Sequence, residues 1–188
     1  MTGGRPLPGR PALIVALGLL ATGCLTLTPG QQDRAAEVRR FADATADAYR
    51  VSRTRVTIEL ATNLGIGARY RYGNLYLNVR MLGSPHLDAI VAHELGHYLL
   101  GHDTLAAGVV TPADWQRVQE ERELDANTKA VEILVRVRGM TQAEAVQAVV
   151  RFLQAAQRTA DGGGAVPAGH RHPAAEIADL LMRFPDRR

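Results

Sequence analysis

The sequence predicts an α+β fold, and three observations predict it. One amphipathic segment precedes the only period-two patterning in the chain. That patterning forms about three short strands, and from Pro85 onward everything reads helical, with start and stop residues in place. The expected architecture is a small, mostly antiparallel sheet packed against the first of these later helices. Gln31 to Arg50 sets Ala36, Val38, Phe41, Ala42, Ala46 and Tyr49 at helical spacing. Arg55 to Leu60 alternates as a strand does. Arg69–Tyr72 and Leu75–Arg80 flank Gly73-Asn74, a two-residue hairpin signal, with Leu75, Leu77 and Val79 on one face of the second arm. Pro85 to Leu100 is the next helix, stopped by Gly101. Thr111-Pro112-Ala113-Asp114 caps a long helix running to Arg138 before Gly139. Thr141 and Glu144 form a capping box for a helix to about Arg158, and His172-Pro173 opens the last one, after the break at Asp161-Gly162-Gly163-Gly164.

The 188 residues suit one domain, and 46% hydrophobic with 22% charged residues excludes a disordered chain, a collagen or a disulfide scaffold. The first 23 residues read as an export signal. Arg5 and Arg10 precede the short apolar run Ala12–Ala21, which is well under the roughly 20 residues of a spanning helix. Without those two arginines the balance is 20 basic against 19 acidic residues, which supports no polyanion-binding surface. Cys24 is the only cysteine, so no intramolecular disulfide forms. Leu20-Ala21-Thr22-Gly23-Cys24 resembles the lipobox of bacterial lipoproteins. That resemblance implies lipidation at Cys24, a tether over residues 24–30, and a single domain over 31–188, held to a membrane and facing the periplasm.

The chemistry concentrates at His93-Glu94-Leu95-Gly96-His97, an HExxH pattern. Histidines at i and i+4 leave one helix face together, so both imidazoles reach one ion. Zinc held this way retains an open position, and Glu94 stands where a general base can touch water without ligating the metal. A catalytic zinc needs a third protein ligand. Glu121 is expected to supply it from the next long helix, on a face shared with Val118, Thr128 and Val135, with Asp125 one turn on as a hydrogen-bond partner for a ligand histidine. Three alternatives stand beside it. Asp103 lies six residues after His97, His102 lies close by, and Glu123 is about 200° around the helix from Glu121.

HELGHYLLGH (93–102), ERELDANTKAVEIL (121–134) and HPAAEIADLL (172–181) together resemble an M48-type peptidase of the gluzincin clan, in the family's order and over roughly residues 50–184. The resemblance implies a minigluzincin-like fold and one zinc per chain on His93, His97 and Glu121. It implies Glu94 as general base and acid, Asp125 as histidine support, and His172 as a transition-state stabiliser. Leu124 departs from the family's usual alanine, and no arginine follows in the last motif before Arg183. Such enzymes bind an extended peptide along an edge strand by β-augmentation, for which Leu75–Arg80 is the expected strand and Tyr70, Tyr72 and Tyr76 the expected wall. His170 and His86 are expected at the surface.

The expected function is therefore an exported zinc endopeptidase acting on a peptide or protein substrate. Two alternatives are a cytoplasmic regulatory protease of the phage-repressor-cleaving type and a non-catalytic zinc lipoprotein that binds a partner. There is no phosphate-binding Gly-rich loop and no basic-aromatic stripe, so neither nucleotide nor nucleic acid is expected as a partner.

Overall fold

The computed structural model describes residues 26–60, 67–104, 111–163 and 170–185. The signal segment and Cys24 lie outside the described residues. Among those described, the chain is α+β, with five α-helices around a three-stranded mixed sheet. No described helix is long and apolar enough to cross a membrane.

Helix α1 (Pro29–Tyr49) begins two residues before the sequence places it, because Thr28 and Gln31 close a capping box around Pro29. It buries Val38, Phe41 and Ala42. Strand β1 (Arg55–Glu59) runs parallel to β3 (Asn74–Asn78), and β2 (Ala68–Arg71) pairs antiparallel to β3 on its other side. The order β1-β3-β2 corrects two expectations. The sheet is mixed rather than mostly antiparallel, and β3 is its centre rather than an edge. Leu75 and Leu77 on β3 are fully buried, which is what a central position requires. The hairpin turn is Tyr72-Gly73, one residue earlier than the sequence suggests. Both residues have positive φ, 48° and 76°, as a primed turn demands, and the glycine meets this without strain.

A short 3₁₀ helix (Val79–Gly83) leads to α2 (Leu87–Leu99), which carries the HExxH residues. α2 is apolar on nearly every side because it lies inside the domain, against α1, β2, α4 and, most extensively, α3 (Pro112–Arg138). The caps of α3 are those read from sequence, Thr111 accepting from the Asp114 N–H and Gly139 in the left-handed region at φ 68°. Helix α4 (Gln142–Asp161) opens on the Thr141–Glu144 capping box, and α5 (Pro173–Arg183) packs on α4 and α3. The core runs continuously from Phe41 through Leu77, Val91 and Leu95 to Ile133, Val149 and Leu180. α2 and the inner face of α3 are therefore fixed by packing on both sides.

Candidate metal centre

One turn of α2 places His93 and His97 edge to face, with their Nε2 atoms 3.1 Å apart. From α3, Glu123 brings Oε2 to 3.1 Å from His93 Nε2 and 3.5 Å from His97 Nε2. His93 and Glu123 are buried, and His97 is nearly so. Among the described residues this is the one group of three or more His, Cys, Asp or Glu side chains whose donor atoms converge tightly enough to hold a metal ion.

The outer ring nitrogens explain why the inner ones point as they do. His93 Nδ1 lies 2.9 Å from Asn127 Oδ1, an atom that only accepts, so Nδ1 carries the hydrogen. His97 Nδ1 lies 3.0 Å from His102 Nδ1. Burial, with the charges of His97 and Arg122, pushes His102 down to about 4, so it stays neutral and offers a lone pair to the His97 Nδ1–H. Both histidines thus present Nε2 inward, the tautomer a metal ligand needs.

Two inward lone pairs and a carboxylate oxygen repel one another unless a cation lies among them. Without an ion the cluster answers with a proton. Burial opposes charge on His93, yet the facing Glu123 outweighs it and raises His93 to about 9. Burial likewise works against an ionised Glu123, but His93 and His97 hold its carboxyl far below the usual range. Even so, Glu123 Oε2 is buried at ion-pair distance without a well-aligned hydrogen bond. A divalent cation satisfies all three donors at once, so the residues present fit one.

Glu94 flanks this group. Burial raises its carboxyl pKa, with His93 and His97 pulling the other way and the nearby Tyr70 backbone amide adding to that pull. The ladder explains that contact. Asn78 N–H donates to Gly67 O, so in the β2–β3 pairing the main-chain groups of residues 67, 69 and 71 turn toward β3, and those of Ala68 and Tyr70 turn outward. The edge beside α2 is therefore β2, and Glu94 lies near the Tyr70 backbone on it.

Several expected site residues lie elsewhere. Glu121 is on the exposed side of α3, paired with Arg117 at 2.9 Å, and does not meet the histidines. Its carboxylate leaves the helix about 200° from that of Glu123, so only one of the two can face α2. The third donor is accordingly Glu123. Asp125 is also exposed, bound to Arg183 at 2.9 Å, and the histidine support assigned to it comes from Asn127 instead. His172 is the exposed N-cap of α5, accepting from the Ala174 N–H, with Nε2 3.3 Å from Asp161. The histidine of this segment that reaches the cluster is His170, expected at the surface. Its Nδ1 lies 3.3 Å from Glu123 Oε2 and 3.9 Å from Glu176 Oε1. Asp103 is not part of the group, and His102 supports His97 rather than joining it.

The signal that would have found Glu123 is the pair of alanines beside it. Ala126 and Ala130 are fully buried, and Ala126 faces Gly96, where an added Cβ would come within 2.8 Å of the Ala126 carbonyl oxygen. That glycine lets α3 approach closely enough for a short glutamate to reach both imidazoles. Asn127, a buried amide four residues after Glu123, marks the same stripe.

Comparison with protein-family models, with curated proteins and with solved structures returns no match. The reading of the site therefore rests on its own geometry.

Proposed function

We propose that this protein is a zinc-dependent peptidase whose ion is held by His93, His97 and Glu123, one per chain. The observation that carries this reading is the convergence of these three donors beside Glu94. Two imidazole nitrogens and one carboxylate oxygen make a donor set suited to zinc, and three protein ligands are the number a catalytic site uses. A bound zinc ion would supply Lewis acidity, polarising a carbonyl and making water easier to deprotonate.

The chain's own residues do the rest. Glu94 takes a proton from water and returns it to the leaving amine, a task favoured by burial that lifts its pKa above that of a free carboxylate. Strand β2 offers the outward main-chain groups of Ala68 and the Tyr70 carbonyl to an extended substrate, which would add as a further strand. That role passes from β3 to β2, because β3 already has a neighbour on each side. His170, about a third exposed beside Glu123, is the imidazole available to contact a bound substrate. The gluzincin resemblance agrees with an HExxH helix followed by a glutamate helix.

We further propose that residues 1–23 direct export and that Cys24 carries the lipid anchoring the domain to a membrane, with α1 beginning a few residues on. Cys24→Ser is expected to move the protein from the membrane to the soluble fraction. An unchanged distribution would overturn the anchor.

The test of the activity is a pairing of two measurements on wild type and Glu94→Gln, zinc content and cleavage of a fluorescently quenched unfolded protein. The variant is expected to keep its zinc and lose about 10²–10⁴-fold in rate. Equal rates would contradict the role of Glu94. A wild type that holds zinc but cleaves nothing would favour the non-catalytic reading.

A further inference from the structure

Behind the metal-binding group lies a second layer of buried polar side chains that the proposed chemistry does not use directly. Glu176 on α5 is 4% exposed, and its Oε2 accepts from Asn127 Nδ2 at 3.1 Å. Asn127 is fully buried, and its other terminal atom, Oδ1, meets His93 Nδ1. Its Oε1 makes no hydrogen bond among the described residues and has the His170 ring 3.9 Å away, so the bond to Asn127 is the one the carboxylate makes. A carboxylate buried at such cost has a structural consequence to look for.

That consequence is the direction of an amide. Asn127 can face His93 with its oxygen or with its NH₂, and the two are nearly equal in shape. Glu176 presents Oε2 as an acceptor to Asn127 Nδ2, drawing the NH₂ to itself and turning the amide oxygen toward His93. With oxygen there, the hydrogen of His93 stays on Nδ1 and Nε2 is left for an ion. With NH₂ there, the lone pair would sit on Nδ1, the hydrogen on Nε2, and the ligand atom would be blocked.

We infer that Glu176 is a positioning residue for the metal centre, acting from α5 through Asn127 to hold His93 in its metal-binding tautomer. This rests on the metal-centre reading above. It also gives the α5 segment a function distinct from that expected of His172, because the connection runs through the fourth residue of the helix and not through its cap.

The test is zinc affinity, measured by competition with a chromophoric chelator on the whole metal-stripped protein and without substrate. Glu176→Leu is expected to bind zinc about tenfold more weakly, in the range of losses seen for partners of ligand histidines. Glu176→Gln keeps an oxygen able to accept from Asn127 and is expected within about threefold of wild type. Adding Asn127→Asp to Glu176→Leu gives His93 a partner that can only accept, and should recover most of the lost affinity. A merely structural role for Glu176 would not produce that recovery. Wild-type affinity in Glu176→Leu, a loss in Glu176→Gln as large as in Glu176→Leu, or failure of Asn127→Asp to recover binding overturns the assignment. A wild type that binds no zinc contradicts the metal centre itself, which separates the two failures.

Discussion

His93 and His97 stand one turn apart on the same helix, yet they are supported from opposite kinds of surroundings. His93 is buried and braced by an amide that is itself braced by a carboxylate, three side chains from three helices in one line. His97 is slightly more open and leans on a neutral imidazole only five residues away, His102, which occupies the turn just after α2. The first support reaches across the domain and couples the site to the packing of α3 and α5. The second is local and depends on little beyond the end of its own helix. In the proposed centre the two ligands should therefore respond differently to changes made behind them, even though they would serve one ion.

The largest effect should come from removing the group both histidines share. Glu123→Ala is expected to abolish stoichiometric zinc binding, whereas Glu121→Ala, two residues away on the exposed side, should retain full zinc content by metal analysis. Equal retention in both would break the comparison at its root. Next is the helix crossing that delivers Glu123. Gly96→Ala places a methyl against the Ala126 backbone and should cost about 1–3 kcal/mol in a denaturant titration, with weaker zinc binding alongside. Unchanged stability would mean α3 can retreat without consequence.

The comparison itself is sharpened by the two supporting residues. Asn127→Ala, on the long buried line, should weaken zinc about 10- to 100-fold, the full range for such partners. His102→Ala should fall at or below the bottom of that range, since water can take the place of a partner at the helix end. A reversed order would show that the local support matters more. A separate effect is on the pH dependence of the metal-stripped protein. Without metal, His93 is raised from 6.5 to about 9 by its pairing with Glu123, so that pairing stabilises fully below about 6.5 and is lost as pH rises through about 9. The Tm of metal-stripped protein should thus decline from pH 6.5 to 9.5, and zinc-loaded protein should lack this component because the ion replaces the proton. A metal-stripped Tm that rises over this interval would contradict the ion pair.

The elements with local signals were legible in the sequence. Thr141 with Glu144, Thr111 with Pro112, and Gly139 each fixed a helix end through hydrogen bonds formed within a few residues, and HExxH announced its face through spacing alone. The partners brought together by packing were harder to read. Long helix α3 carries carboxylates on both sides, and Val118, Thr128 and Val135 mark the side of Glu121, not that of Glu123, as the apolar one. Val135 is 36% exposed, and near Glu123 the buried stripe runs through the small residues Ala126 and Ala130, which permit close approach. Sheet order was hidden for a related reason. β3 pairs with both earlier strands, and only the full burial of Leu75 and Leu77 distinguishes a central strand from a hairpin arm. His170 carried no local pattern at all, as its approach to Glu123 follows from how α5 docks.

The central claim is that one ion is shared by two residues of α2 and one of α3. The most direct measurement is anomalous diffraction at the zinc edge from crystals of the zinc-loaded protein. The account predicts a single strong peak about 2.0–2.2 Å from His93 Nε2, His97 Nε2 and a carboxylate oxygen of Glu123. A peak ligated instead by Glu121, Asp103 or His102, or no peak between the two helices, would contradict it.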